Sequence, residues 1–457
     1  MALEITSPNS YSFPKGLGVY DNFSAKGGIP PYVFSTESEL PDGVEFDNLG
    51  RIRGLTTTTQ TKTINLVVTD SNNSTATKTI TMTVFNLPAG SALYAWGYGR
   101  NGQLGEKNRG IKIDSPIQIG SFLKWKKVFG GFLGGAGIKE DGTLWLWGDN
   151  SYGTIGDRTT KNRKTPTQTV FKKKNWKEVS ITTHVAAIKE NGTLWMWGNG
   201  ISGQLGDNES KKKAVPTQTV TGGKNWKQAS CGLNHTAAIK TDGTLWCWGH
   251  NNYGQLGINS TVRKSSPVQT ITGGTDWKQV SCGHHHTAAI KNDGSLWLWG
   301  KNDAFIDDNH KGALGDNTTI NKSSPVQTIA GGNDWKYVSC GYDFTAAIKN
   351  DNTLWLWGNN GYGQLGINSI IPTSSPVQTI AGGTNWEKID CGLLHIAAKK
   401  EDGTLWLWGC NIEGQIGDYG INGLTDVSSP VQTIMGGTGW YDFSAGASNT
   451  YAIYKTL

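Results

Sequence analysis

The stretch Trp226-Lys-Gln-Ala-Ser-Cys-Gly-Leu-Asn-His-Thr-Ala-Ala-Ile-Lys-Thr-Asp-Gly-Thr-Leu-Trp-Cys-Trp-Gly249 decides the fold of this chain, because close copies of it recur along the sequence. The 457 residues include 20 Trp, and all of them follow residue 90. The opening Trp and the last Trp of the stretch each recur in seven copies, at a spacing of about 51 residues, which is a period typical of propellers, solenoids and arrays.

One copy of the repeat predicts a small antiparallel sheet. Residues 226–232, 235–240 and 244–249 have the lengths of strands, and Asp242-Gly243 is a strong hairpin signal. Residues 266–271 add a short outer segment. Small residues fill the first two strands and Trp fills the third, which fits a sheet that is narrow near an axis and wide outside it. The sequence therefore predicts an all-β fold, a β-propeller.

The two ends of the repeat region complement each other. The first unit lacks its leading Trp-Lys half, and the last unit lacks its Trp-x-Trp-Gly half. We therefore expect residues 440–453 to pair with residues 93–105, which would complete a seventh blade and remove exposed sheet edges. The prediction is a seven-bladed propeller over residues 89–457.

Residues 1–88 form a segment of different composition, without Trp or Cys. Alternating apolar residues between turn clusters predict a small antiparallel β-sandwich domain. The predicted strands are 32–34, 44–46, 61–69 and 78–85.

Composition argues against a membrane protein. No apolar run is long enough to span a bilayer, and the first residues lack the basic and apolar regions of a signal peptide. We expect no membrane insertion. Four of the six Cys residues share one repeat position in four different units, so they are expected to lie too far apart for disulfides. Cys247 replaces a Leu of the repeat and Cys410 follows a Trp-Gly pair, so we expect six free, mostly buried thiols and no zinc site.

Two motifs resemble known families. The run from Gly27 through Thr83, GGIPPYVFS…LPDGVEFDNLGRIRG…TATKTITMT, resembles Ig-like domains repeated in bacterial surface and phage proteins. The repeat WKQVSCGxxHTAAIKNDGSLWLWG resembles the regulator of chromosome condensation repeat family over residues 91–457. That resemblance implies a seven-bladed propeller with a split closing blade. It implies no single activity, since members include exchange factors for the GTPase Ran, ubiquitin-ligase domains and bacterial and viral proteins of unknown role.

No catalytic constellation is legible, so the protein is expected not to be an enzyme, with no catalytic, cofactor or metal residues. Four His share one repeat position, at which other copies carry Gly134 or Phe344, and we expect each to bond local backbone in a turn. The cluster 284–286 is expected in a solvated loop. The four repeat His are His184, His235, His286 and His395.

Charge is unevenly distributed. Residues 121–224 are strongly basic, whereas residues 225–457 carry a small acidic excess. Two Lys triplets are expected to cluster on one side of the propeller and to attract an anionic partner. As the partner, a protein or an anionic surface polysaccharide is favoured over nucleic acid. The alternative is that these lysines bind no partner and form a solvated rim that keeps the protein soluble. The triplets are Lys172, Lys173 and Lys174, and Lys211, Lys212 and Lys213.

One repeat carries an insertion at 301–311. Inserted loops on rigid scaffolds are common recognition sites, so this loop is a second candidate for partner contact. The alternative is a tolerated insertion. The candidate residues are Phe305, Ile306, Asp307 and Asp308.

These features favour a non-enzymatic structural or binding protein displayed on a virus particle or bacterial surface. The Ig-like domain would anchor it, the propeller would present interaction loops, and other virion proteins are candidate partners. The absence of a signal-peptide pattern favours a phage virion component, used in decoration or attachment. The alternative is an intracellular, cytoplasmic scaffold that binds an acidic partner. An exchange factor for a Ras-like GTPase is less favoured, because the single insertion shows no hairpin pattern.

Overall fold

The computed structural model describes residues 1–86, 89–106, 111–120, 124–172, 174–303, 312–418 and 425–456. Every regular element among these residues is a β-strand, which confirms the expected all-β fold. Among them, no helix is long and apolar enough to cross a membrane. The chain divides into two compact units, one of residues 1–90, 434–438 and 456–457, the other of residues 91–433 and 439–455.

The first unit is a sandwich of short strands. Its four-stranded sheet has the order β2-β9-β8-β5, its three-stranded sheet β3-β7-β6, and β1 pairs with β4. Alternate side chains from the two larger sheets, including Tyr11, Ile52 and Leu66, meet in one buried core. The strands are β1 (Glu4–Ile5), β2 (Ser10–Pro14), β3 (Gly18–Asn22), β4 (Ala25–Lys26), β5 (Val33–Ser35), β6 (Val44–Phe46), β7 (Arg51–Leu55), β8 (Gln60–Thr69) and β9 (Thr75–Phe85).

The second unit repeats one four-stranded antiparallel sheet. Its strands are β10 (Gly90–Tyr98), β11 (Lys112–Gln118), β12 (Trp125–Gly130), β13 (Gly134–Lys139), β14 (Leu144–Gly148), β15 (Arg163–Gln168), β16 (Trp176–Ile181), β17 (His184–Lys189), β18 (Leu194–Gly198), β19 (Lys213–Gln218), β20 (Trp226–Cys231), β21 (His235–Lys240), β22 (Leu245–Gly249), β23 (Lys264–Gln269), β24 (Trp277–Cys282), β25 (His286–Lys291), β26 (Leu296–Gly300), β27 (Lys322–Gln327), β28 (Trp335–Cys340), β29 (Phe344–Lys349), β30 (Leu354–Gly358), β31 (Thr373–Gln378), β32 (Trp386–Cys391), β33 (His395–Lys400), β34 (Leu405–Gly409), β35 (Val427–Gln432), β36 (Trp440–Ala445) and β37 (Asn449–Thr456).

These strands form, within the described residues, seven four-stranded sheets. Six sheets are built from consecutive strands, and the seventh has the order β11-β10-β37-β36, so it joins the two ends of the repeat region. In each sheet the strand that begins with the Trp-Lys pair is called the first strand. Each first strand contacts the first strand of the next sheet, and β36 contacts β12, so the sheets form a closed ring.

Tryptophan holds neighbouring sheets together. In one interface, Leu245 and Cys247 of one sheet pack against Trp277 and Trp299 of the next, and all four are fully or almost fully buried. The indole of Trp299 also donates a hydrogen bond to the carbonyl of Gln255 at 2.9 Å, which satisfies its polar edge. The same arrangement recurs around the ring. Large apolar rings therefore stabilise the outer part of each interface, as the repeat pattern predicts.

The Gly-Gln-Leu-Gly turn of the repeat brings sheets close together. Gly254 has a φ of +82°, and a Cβ there would lie 2.4 Å from the Cα of Ser323 in the next sheet. Only glycine tolerates both the positive φ and this close approach.

Candidate interaction site: the central channel and its two faces

The first strands surround a central cavity of about 640 Å³. Side chains alternate along a strand, so the third and fifth residues of each first strand face this cavity. The third residue takes five identities over the seven sheets, more than either flanking position. Around the ring these residues are Lys127, Glu178, Gln228, Gln279, Tyr337, Lys388 and Asp442.

Some of these side chains hold the channel wall together. The Gln228 amide accepts a hydrogen bond from the Val280 backbone N–H at 3.0 Å and donates to the Val280 carbonyl at 3.2 Å. Gln279 bonds the backbone of Val338 in the next sheet in the same way. These amides therefore link adjacent first strands by the same pair of hydrogen bonds that backbone groups form within a sheet.

A second ring of bonds involves the fifth residue of the first strands. The Ser230 hydroxyl accepts from the backbone N–H of Cys282 at 2.9 Å, and Ser281 accepts from Cys340 at 3.0 Å. The same bond recurs at other sheet junctions of the ring. Phe129 occupies this position between β12 and β16, so that junction has no hydroxyl to accept the bond. The small polar residues of the first strand are thus structural.

A charged cluster lies on the β32 and β36 side of the channel. The Lys388 ammonium lies 2.5 Å from Asp442, and Asp390 accepts from the Ser444 hydroxyl at 2.5 Å and from the Ala445 N–H at 3.0 Å. Burial opposes the charge on Lys388, but the facing carboxylates raise its pKa overall. Burial raises the pKa of Asp390. These groups satisfy one another.

The side of the channel formed by β12, β16 and β28 has polar groups left over. Within the described residues, the side chains of Lys127, Glu178 and Tyr337 make no hydrogen bond, although all three line the cavity. Burial raises the pKa of Glu178, while the nearby Lys127 and Lys177 oppose that shift. Burial likewise raises the pKa of Tyr337 to about 12. This part of the channel can accept a polar ligand group without first breaking a bond of the fold.

The end of the ring at which the first strands begin is called the lysine face. The second residue of each first strand is exposed there, and on five consecutive sheets it is a lysine, a set called the lysine arc. Three of these lysines also line the mouth of the cavity. The lysine arc consists of Lys126, Lys177, Lys227, Lys278 and Lys336.

Most of the lysine arc has no partner in the fold. Among the described residues, Lys126, Lys177, Lys227 and Lys278 make no hydrogen bond or ion pair, and Lys336 donates to the Asn352 side chain at 2.7 Å. The two remaining sheets carry Glu387 and Tyr441 at this position, also exposed. The strand therefore forms without lysine there, and the arc is free to contact another molecule.

A second row of lysines at this face is already occupied. The Lys240 ammonium lies 5.0 Å from the Trp226 ring and 4.3 Å from the Trp246 ring, within cation–π distance of both. Equivalent lysines lie between two Trp rings in five other sheets. The half-exposed third-strand Trp rings are therefore covered by lysine rather than open for stacking.

The opposite end of the ring, where the second strands begin, is called the histidine face. Its channel rim is apolar and aromatic: the His284 and Tyr342 rings pack against each other at 4.0 Å between centroids, tilted by 34°, and Leu233 and Leu393 line the same rim. His284 also packs against His285 at 4.2 Å. Burial lowers the pKa of both imidazoles, to about 3 and about 2.

The expectation of a solvated loop at 284–286 is wrong. His285 is 9% exposed and His286 is fully buried, because the loop packs against the neighbouring sheet. In the part of the chain that the structure describes, no group of three or more His, Cys, Asp or Glu side chains is arranged to hold a metal ion.

The four repeat His make a bond that the sequence reading did not foresee. Each lies fully buried, and its Nε2 bonds the threonine hydroxyl of the next sheet rather than local backbone, for example His235 to Thr287 at 2.9 Å. The Thr287 hydroxyl donates its one proton to the Gln255 carbonyl, so it accepts from His235, whose Nε2 must carry the hydrogen. Burial lowers the pKa of His235 well below its usual value. These imidazoles are neutral structural bridges.

Comparison with known proteins agrees with this architecture. The regulator of chromosome condensation (RCC1) repeat matches six segments, residues 91–131, 141–187, 191–239, 242–290, 293–348 and 351–398. The chain belongs to the RCC1-repeat family. Residues 3–85 match the family described as "Putative Ig domain". Both resemblances noted in the sequence are thereby confirmed.

RCC1-repeat relatives cover the propeller. The ultraviolet-B receptor UVR8 of Arabidopsis thaliana is 31% identical over 339 residues, which are 73% of this chain and 64% of UVR8. The human E3 ubiquitin-protein ligase HERC2 is 28% identical over 356 residues, which are 74% of this chain but 7% of HERC2. The chain therefore spans less than two thirds of either relative.

Solved structures support the RCC1-type propeller fold. Yeast RCC1 (Prp20), solved bound to Kap60, aligns with a TM-score of 0.70 at 17% identity over 81% of this chain and 90% of that chain. Human WBSCR16 aligns with a TM-score of 0.68 at 20% identity over 80% of this chain and 100% of that chain. At these identities the likeness concerns the fold.

In this RCC1-repeat propeller the two predicted Lys triplets do not lie on one side. Lys172 and Lys174 follow the outer strand β15 and lie at the lysine face. Lys211 and Lys212 precede the outer strand β19, and Lys213 is its first residue, which pairs with Gly198 at the histidine face. The predicted clustering is wrong, because the triplets flank opposite ends of equivalent strands. Lys173 lies outside the described residues.

The second triplet is also partly neutralised. Lys213 lies 2.5 Å from Asp207 and 3.4 Å from Glu209, and Lys211 lies 3.3 Å from Glu209. The Asp207 and Glu209 carboxylates outweigh burial and raise the pKa of Lys213. The inserted-loop candidates Phe305, Ile306, Asp307 and Asp308 lie outside the described residues.

The lysine arc was missed, although its signal was visible. The opening Trp of the repeat is followed by Lys in five of seven copies, at Lys126, Lys177, Lys227, Lys278 and Lys336. The strand period alone places that residue on the opposite side from the buried Trp. What the sequence did not give was the position of that strand at the channel mouth.

Proposed function

We propose that this RCC1-repeat protein is a non-enzymatic binding protein, which acts by presenting its propeller to a partner. The observation that carries the proposal is the lysine arc, a row of exposed charges around the channel mouth, of which four make no hydrogen bond or ion pair among the described residues. Charge arranged on one face steers an anionic partner to that face.

The Ig-like domain supports a place for this binding activity on a virus particle or bacterial surface. Residues 3–85 match an Ig-type family, and the sequence resembles modules repeated in bacterial surface and phage proteins. In this proposal the Ig-like domain anchors or spaces the propeller, which serves decoration or attachment, with other virion proteins as candidate partners.

An intracellular scaffold that binds an acidic protein is the second candidate, and the lysine arc favours it equally. Prp20p of Saccharomyces cerevisiae, a structural neighbour of this propeller, binds Gsp1p and histones, so a protein partner has precedent on this fold. The exchange-factor variant of this candidate predicts accelerated nucleotide release from a Ras-like GTPase.

Location separates the candidates. Quantitative proteomics on purified particles, surface fractions and cytosol from the natural source should show enrichment in particles or at the surface. A purely cytosolic distribution would refute the display proposal and leave the scaffold. A nucleotide-release assay then separates the scaffold from the exchange factor.

A further inference from the structure

Within the part of the chain that the structure describes, three lysines at the mouth of the cavity lack the ion pairs that other lysines of the ring make. At the histidine face, the first residue of several outer strands pairs with a carboxylate, as in Lys213 with Asp207 and Lys322 with Asp316 at 3.6 Å. At the lysine face, Lys291 and Lys349 pair with Asp276 and Asp334 at 3.3 and 3.2 Å. Lys177, Lys227 and Lys278 make no ion pair among the described residues, although the Glu178 carboxylate lies near Lys177. These three exposed lysines are therefore available to pair with anionic groups of another molecule.

Geometry connects the arc to the channel. Lys177, Lys227 and Lys278 line the mouth of the 640 Å³ cavity, and Lys127 lines its wall one residue further along. An anionic group that binds the arc therefore faces the side of the cavity where Lys127, Glu178 and Tyr337 have no hydrogen bond within the described residues. Burial raises the pKa of Glu178, which disfavours a negative charge on that side chain. The arc and this part of the cavity are one continuous surface.

The chemistry of this surface fits a peptide better than a nucleic acid. Single-stranded nucleic acids need exposed aromatic platforms for base stacking. The half-exposed Trp rings at this face, such as Trp246, are instead occupied by lysine ammonium groups, here Lys240. The wall offers a polypeptide the side chains of Lys127, Glu178 and Tyr337, which make no hydrogen bond among the described residues.

We infer that the lysine arc and the adjoining cavity form a docking site for an acidic peptide segment of a partner protein. Carboxylates of the segment pair with Lys177, Lys227 and Lys278, and one of its residues enters the channel beside Lys127. This inference rests on the proposed binding function and names the site and partner class.

The test uses the full chain, a fluorescein-labelled Asp/Glu-rich synthetic peptide and its Asn/Gln counterpart, read by fluorescence anisotropy. The triple variant Lys177→Glu, Lys227→Glu, Lys278→Glu reverses the arc. The control Lys161→Glu, Lys164→Glu, Lys212→Glu makes the same charge change at exposed residues toward the histidine face. Trp fluorescence spectra verify that both variants are folded.

We expect the acidic peptide to bind and the neutral peptide not to bind. The arc variant should weaken binding by at least about tenfold and the control by less than about twofold, since global charge alone acts weakly on one docking site. Raising salt from about 50 to about 200 mM should weaken the wild-type interaction, because exposed pairs are screened.

Three results would overturn the inference: no binding of the acidic peptide, an equal loss in both triple variants, or arc-dependent binding of heparin or single-stranded DNA that exceeds peptide binding. The last result would assign the arc to a polysaccharide or a nucleic acid. All three are independent of the localisation experiment, so this inference can fail while the display proposal stands.

Discussion

The pairing of His and Thr across sheet junctions makes a sharp prediction about stability. Four junctions pair a buried His with a Thr of the next sheet, namely His184 with Thr236, His235 with Thr287, His286 with Thr345 and His395 with Thr450. Where the His is missing, the Thr is missing too. The other three junctions carry Gly134 with Val185, Phe344 with Ile396, and Asn449 with Gly135.

Thr287→Val should therefore destabilise the propeller more as a single substitution than when it is combined with His235→Phe. It leaves the Nε2–H of His235, which is fully buried, without an acceptor, and a buried unsatisfied donor costs about 1–3 kcal/mol. Adding His235→Phe removes that donor, and the Gln255 carbonyl keeps its bond from Trp299 at 2.9 Å. Phe344 already occupies the equivalent position in another sheet. We expect a favourable coupling of about 1–2 kcal/mol between the two substitutions.

Equilibrium urea unfolding followed by Trp fluorescence measures this coupling. All Trp residues follow residue 90, so the signal reports the propeller and not the Ig-like domain. Wild type, both single variants and the double variant form a double-mutant cycle, compared by midpoint at constant m-value. If the double variant is destabilised by the sum of the single effects, the His–Thr bond is not a coupled unit and the reasoning is refuted.

Three further predictions concern the same ring. Burial lowers the pKa of His184, His286 and His395 from an ordinary 6.5 to about 3. The stability that depends on these neutral imidazoles is therefore fully present above pH 6.5 and is lost as the pH falls toward 3, by up to about 1.4 kcal/mol per pH unit for each His. Unfolding midpoints measured from pH 7 to pH 4 should fall accordingly, and a profile that does not change with pH would contradict this prediction. Gly254→Ala, whose new methyl group would meet the Ser323 backbone, should lower the free energy of unfolding by more than about 2 kcal/mol. Gly273→Ala, at a φ of +55° with no atom within 4 Å, should lower it by about 1 kcal/mol in the same assay. Equal losses would show that the close approach at Gly254 is unimportant. All six Cys are buried, so a thiol reagent should label none in the native protein and six after denaturation, and fast labelling of the native chain would refute this.

Local patterns in the sequence were sufficient for the strands of the repeat. Spacing of Trp and the Asp-Gly turns predicted strands at 226–232, 235–240 and 244–249, and the structure has them within one residue at each end. The outer strand was placed at 266–271 but runs Lys264–Gln269, because it lacks Trp or a hairpin turn to mark its ends. In the first domain, β1 to β4 and β7 were missed, since short strands with few apolar residues give little periodic signal.

The site was harder to predict because it depends on which end of a strand a residue occupies. Lys172 and Lys211 look alike in sequence, each in a triplet near an outer segment, yet one follows its strand and the other precedes it. Each repeat His pairs with a Thr at the second position of the next unit's second strand, such as Thr287 for His235. This pairing is visible in the sequence only as a correlation between different positions of neighbouring units. Contacts between units require aligning each unit against its neighbour, offset by one repeat.

Differences among the seven copies indicate where the ring has been adapted beyond folding. The fifth residue of the first strand is Ser at five of seven copies and bonds the next sheet, so its uniformity follows from packing. The third residue takes five identities, namely Lys, Glu, Gln, Tyr and Asp, although every copy occupies the same strand position. Gln228 and Gln279 show that two amides suffice to join the wall. The fold therefore does not require Lys127, Glu178 or Tyr337, whose side chains bond nothing among the described residues, and it is this asymmetric side of the channel, beneath the lysine arc, that a partner can recognise.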